Sequence, residues 1–112
     1  MTQDQLALLE LHEIVLPEHP EGATLEQQFQ AFHTANTWVY DALVTLTAEY
    51  VTGGATRVSI NMLTEVLRYR RGVTQGDTYK LNNSYRAFYA RLIMQNHPEW
   101  DGLFETRRQR AA

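Results

Sequence analysis

Residues 24–54 read TLEQQFQAFHTANTWVYDALVTLTAEYVTGG. Within them Leu25, Phe29, Phe32, Asn36, Val39, Leu43, Leu46 and Tyr50 recur at steps of 4, 3, 4, 3, 4, 3 and 4. That spacing keeps one stripe of side chains on one side of an α-helix, and only Asn36 interrupts its apolar character. Thr24 and Gln27 match the S/T-x-x-E/Q pattern in which two side chains satisfy orphan backbone donors at a helix start. One continuous helix here would be about 42 Å long, more than a domain of this size needs. Asn36 is a favoured helix-capping residue, so a break near 34–36 with a restart is the other reading. Gly53-Gly54 supplies the stop.

The same patterns extend outward. Leu6, Leu8, Leu9, Leu11, Ile14 and Val15 predict a helix over 3–15, ended by Pro17 and Pro20 in the linker PEHPEG at 17–22. Ser59 predicts the cap of a helix over 60–71 with Ile60, Leu63 and Leu67 inward, Met62, Val66 and Tyr69 widening the apolar arc, and Gly72 closing it. Residues 73–81, VTQGDTYKL, suggest a small β-hairpin or wing-like loop. Asn83 or Ser84 predicts the start of a helix over 84–96, with Tyr85, Phe88, Tyr89, Leu92 and Ile93 on one stripe. A short turn follows at Pro98, and a basic tail covers 107–112. The expected architecture is mainly α: a single domain over 1–112, with its core in 23–106, built as a compact bundle of four to five helices with at most one small β-hairpin. Its order of elements is loosely winged-helix-like, although the 72–82 connector is longer than a helix-turn-helix turn.

Composition narrows the functional classes. The 112 residues include no cysteine, which excludes disulfides, thiolate metal sites and a thiol nucleophile. No run of about 18 apolar residues is present, and the N-terminus lacks a basic signal-like region, so a cytoplasmic protein with no membrane partner is expected. The net charge of −3 hides a division. Residues 1–56 hold eight acids and no Lys or Arg, whereas 57–112 hold five acids against ten bases, nine of them Arg. Arg is a planar fork suited to phosphate and carboxylate. Either the halves neutralise one another within the fold, or the second half presents a basic surface to nucleic acid or an acidic partner.

Motifs for catalysis are missing. His12-Glu13 begins like a zinc-protease signature, but Leu16 stands where the second histidine would be. No phosphate-binding glycine loop or nucleophile elbow occurs. The expectation is a non-enzymatic protein without metal or cofactor.

Two helix faces carry polar residues of the types that contact DNA. On 60–71, Asn61, Thr64, Glu65, Arg68 and Arg71 fall together, although Glu65 and Arg68 could simply pair on a wet face. On 84–96, Ala87, Ala90 and Met94 lie between Arg86 and Arg91, with Asn82, Asn83 and Ser84 at the helix start, where backbone N–H groups favour an anion. Those small residues could admit a duplex backbone, or pack inside the bundle. The candidate DNA-binding residues are therefore Asn83, Arg86 and Arg91, supported by Arg68 and Arg71, on the supposition that their guanidinium groups point outward uncancelled. Five phosphate contacts would give a salt slope of about −4.5 in log K.

The pattern Phe32-His33, Asn36, Val39-Tyr40 and Leu43, then Glu65-Val66-Leu67-Arg68, Lys80-Leu81-Asn82-Asn83, Tyr85-Arg86, Tyr89 to Met94, Phe104-Glu105 and Arg107, resembles a group of small proteins from bacteriophages and actinobacterial genomes, over residues 29–108. Thr37 and Tyr69 stand where that pattern has Pro and Trp. The resemblance implies a phage or prophage origin and transfers no activity. The expected function is a small phage-type DNA-binding protein with a regulatory role. The alternative is a protein-interaction module, host-modulating or anti-defence, docking a host or phage protein through Glu10, Glu13, Glu18, Glu21 and Glu26. A homo-oligomer joined along the 25–50 seam is a third reading.

Overall fold

The computed structural model describes residues 14–75 and 82–104, with 71–75 defined by backbone alone. Among the described residues the fold is mainly α, with four helices: α1 over Leu25–Ala35, α2 over Thr37–Thr52, α3 over Ile60–Gln75 and α4 over Arg86–Asn96. Short 3-10 turns at Asn83–Tyr85 and Pro98–Trp100 precede and follow α4. Helix α2 packs on the other three, and α3 packs on α4. Among the described residues there is no strand, only one parallel bridge between Val58 and Phe104.

The heptad-like seam becomes the centre of the chain's own core. Phe29, Phe32, Asn36, Val39, Leu43 and Leu46 are all buried, while its two ends, Leu25 and Tyr50, are exposed. Leu63 and Leu67 of α3 and Tyr89 and Ile93 of α4 complete the core, each fully buried. Burying each large apolar side chain contributes roughly 1.5–3 kcal/mol. The Tyr89 ring meets Phe29 edge-on at 4.9 Å, joining α4 to α1.

Thr24 and Gln27 form the expected reciprocal cap: the Gln27 N–H donates to Thr24 Oγ1 at 3.1 Å, and the Thr24 N–H donates to Gln27 Oε1 at 2.9 Å. The helix does break at Asn36, by a different device from side-chain capping. Asn36 is fully buried, and its amide turns to the segment before α1. Its Oδ1 accepts from the Val15 N–H at 2.7 Å, and its Nδ2 donates to Val15 O at 2.7 Å and Phe32 O at 3.0 Å. A side-chain amide thereby pairs with both the N–H and the C=O of one residue, as a strand neighbour would. Ile14 and Val15 are consequently non-helical, and the rest of the expected helix over 3–15 lies outside the described residues.

Helix α3 is longer than expected. It passes through Gly72 to Gln75, because one glycine inside a helix costs only about 1 kcal/mol and need not end it. The first three positions of the expected hairpin are therefore helical, and 76–81 lie outside the described residues, as does the basic tail. Ser59 caps α3, its Oγ accepting from the Met62 N–H at 3.2 Å. Tyr69, expected to widen the inward arc, is 74% exposed. At the next helix Asn82 is the cap, accepting from the Ser84 N–H at 2.9 Å, and a 3-10 turn precedes α4.

Candidate nucleic-acid interface

The Val58 N–H donates to Leu103 O at 3.0 Å, and the adjoining Phe104 is buried. This clasp holds the strip between α2 and α3 against the end of the described chain. Opposite it stands the start of α4, and between them opens a cleft of about 840 Å³. Arg57, Ser59 and Asn61 line one side, and Asn83, Ser84 and Arg86 the other. Ala87 and Ala90 also line it. The caps explain this division of labour: Asn82 is occupied with the helix start, while its neighbour Asn83 faces the cleft. Among the described residues no carboxylate lines it. Two helical N-termini converge there, and their N–H groups add partial positive charge to the two guanidinium groups.

The five candidate residues are not one surface. Asn83 and Arg86 meet in the cleft, joined by Arg57, which the sequence reading did not weigh. Arg68 lies outside the lining and shares a carboxylate with Arg86: Glu65 sits 2.6 Å from Arg86 Nη2 and 3.6 Å from Arg68 Nη1. The uncancelled positive surface is thus reduced at both positions. Arg91 is exposed, its guanidinium 4.9 Å from the centre of the Phe88 ring. Arg71 belongs to α3 by its backbone, and its side chain lies outside the described atoms. Of the small residues expected to face a duplex, Ala90 is fully buried, Met94 half-buried and Ala87 exposed. Arg57 stands alone in an irregular strip with no periodicity to mark it; its nearest sequence signal is the Ser59 cap two positions on.

Behind the cleft runs an aromatic column. His33 stacks on Phe29 at 5.9 Å, and Phe29 stacks on Phe88 at 5.1 Å. The His33 ring also meets Tyr40 edge-on at 5.5 Å, and its buried Nδ1 has no hydrogen-bond partner among the described residues. Burial lowers the His33 pKa, partly opposed by the negative charge of Asp41. Among the described residues no group of three His, Cys, Asp or Glu could hold a metal ion, and no helix is long and apolar enough to cross a membrane. No family model, curated protein or solved structure matches this chain.

Proposed function

We propose that this protein binds DNA through backbone phosphates held in the Arg57–Arg86 cleft, in a regulatory rather than catalytic role. The observation that carries the reading is the described lining itself: two arginines with four small polar side chains. Serine hydroxyls, asparagine amides and free backbone N–H groups hold phosphate oxygens alongside arginine forks, and fix register without reading sequence. The loosely winged-helix-like order enters only as analogy, since fold likeness does not establish function. The phage setting implied by the resemblance fits a regulator of this size.

Fluorescence anisotropy with labelled DNA across a salt series tests the reading. Two phosphate contacts on a duplex give a slope of about −1.8 in log K against log salt, shallower than five would. Arg57→Ala with Arg86→Ala should abolish binding while circular dichroism stays unchanged. Undiminished binding by that folded double variant would overturn the proposal.

A second reading draws on the segment before α1. Val15 and Leu16 are 53% and 69% exposed, and Glu18, Glu21 and Glu26 close behind them are exposed too. Apolar tips beside exposed acids suit a basic protein partner. Reversing those three acids in a pull-down from host lysate separates the readings: a partner lost on reversal favours this one.

A further inference from the structure

We propose that Arg91, laid over Phe88, is a stacking platform for an unpaired nucleobase, so that the protein prefers single-stranded to duplex DNA. This rests on the phosphate-binding reading of the neighbouring cleft. On α4, Arg91 follows Ala90 directly and lies one turn beyond Ala87, both of which line that cleft. Residues four apart on a helix are surface neighbours, so the platform borders the cleft rather than a distant face.

The cation is held against a packed ring. The Arg91 guanidinium lies 4.9 Å from the Phe88 ring centre. Phe88 in turn stacks on Phe29 at 5.1 Å with 15° between the ring planes. Phe29 is only 2% exposed, braced edge-on by the fully buried Tyr89. Core packing thus fixes the ring that orients an exposed cation. Arg91 itself pairs with no carboxylate among the described residues. Its own helix offers none within reach, because Ala87, Phe88, Met94 and Gln95 occupy the positions three and four away.

An oriented guanidinium has already met part of the ordering cost of binding. Its flat face suits the π-face of any base, a sequence-tolerant contact. A duplex buries those faces in its own stack. A single strand whose phosphate sits between Arg57 and Arg86 can lay a base on Arg91.

Competition anisotropy with a single strand, its duplex and an RNA strand of the same sequence tests this. Single-stranded DNA should bind on the order of tenfold tighter than duplex, the gain expected of one stacked base. Arg91→Lys keeps the charge and loses the plane; it should erase the preference for the single strand. Phe88→Leu, which retains apolar volume, should act likewise, and thermal melts establish that both variants are folded. Equal or tighter duplex binding by the unaltered protein overturns the platform, as does a preference that survives Arg91→Lys. RNA binding tighter than DNA overturns the assignment to DNA. Failure to bind any strand overturns the cleft reading beneath it, which the double arginine variant identifies separately.

Discussion

Arg86 Nη2 donates to Glu65 Oε1 at 2.6 Å, a contact that spans 21 positions and ties α4 to α3 beside the cleft. The Arg86 side chain is 19% exposed and that of Glu65 52%. Solvent therefore screens the carboxylate more than the guanidinium, and the pair contributes modestly to stability. Its larger effect is on charge. Before any phosphate arrives, part of the field of Arg86 is already spent, and Arg68 draws on the same carboxylate.

Glu65→Gln keeps the shape of this contact and removes the competing charge. DNA affinity should rise by about three- to tenfold, because the Arg86 guanidinium then meets phosphate without a competing carboxylate. Stability should change by less than about 1 kcal/mol. Weaker binding by a folded Glu65→Gln protein would show that the carboxylate supports the site rather than competing with it.

Ala87 is exposed in the first turn of α4 and lines the cleft. A carboxylate there complements the helix dipole and should stabilise the fold by up to about 0.5 kcal/mol. The same charge repels phosphate. Ala87→Glu should therefore hold or raise the melting temperature while lowering DNA affinity at least tenfold, two readouts moving in opposite senses. An unchanged affinity would place the anion site elsewhere.

Asn36 joins the segment before α1 to the helical core with three side-chain hydrogen bonds. Asn36→Ala strands those partners and should cost about 2 kcal/mol in urea denaturation. Because Asn36 lies outside the cleft lining, DNA binding by the folded fraction should be retained.

His33 has its pKa lowered in the folded state, first by burial, with Asp41 opposing. The unfolded chain then binds the proton more readily, so this stability is fully present above the unfolded value of about 6.5 and is lost as pH falls towards the folded value. Between pH 7.5 and 5 the native protein should lose stability relative to His33→Phe, which keeps the stacked ring without the proton. Parallel pH dependence in the two proteins would remove His33 as the cause.

The helices were largely legible in local signals. Thr24 with Gln27, Ser59, and Gly53-Gly54 mark ends that backbone hydrogen bonding requires to be satisfied, and such marks act within a turn. The apolar spacing from Phe29 to Leu46 predicted burial because a helix presents those positions on one side. Two boundaries were misread where a local signal met a competing one. Gly72 did not stop α3, since a single glycine is a small cost inside a packed helix, and Asn82 took the capping role expected of Asn83 or Ser84.

The cleft was legible in half. Asn83 and Arg86 announce themselves at a helix start, but Arg57 enters only through the clasp between Val58 and Leu103, a contact across 45 positions that no periodicity encodes. The amino-acid order alone dictated where helices lie and which sides are greasy, because those follow from hydrogen bonding and side-chain spacing within a few residues. Which arginines keep their charge was decided by the packing of α3 against α4, because Coulomb attraction depends on distance in space, and it is packing that sets Glu65 against Arg86 and Arg91 over a ring.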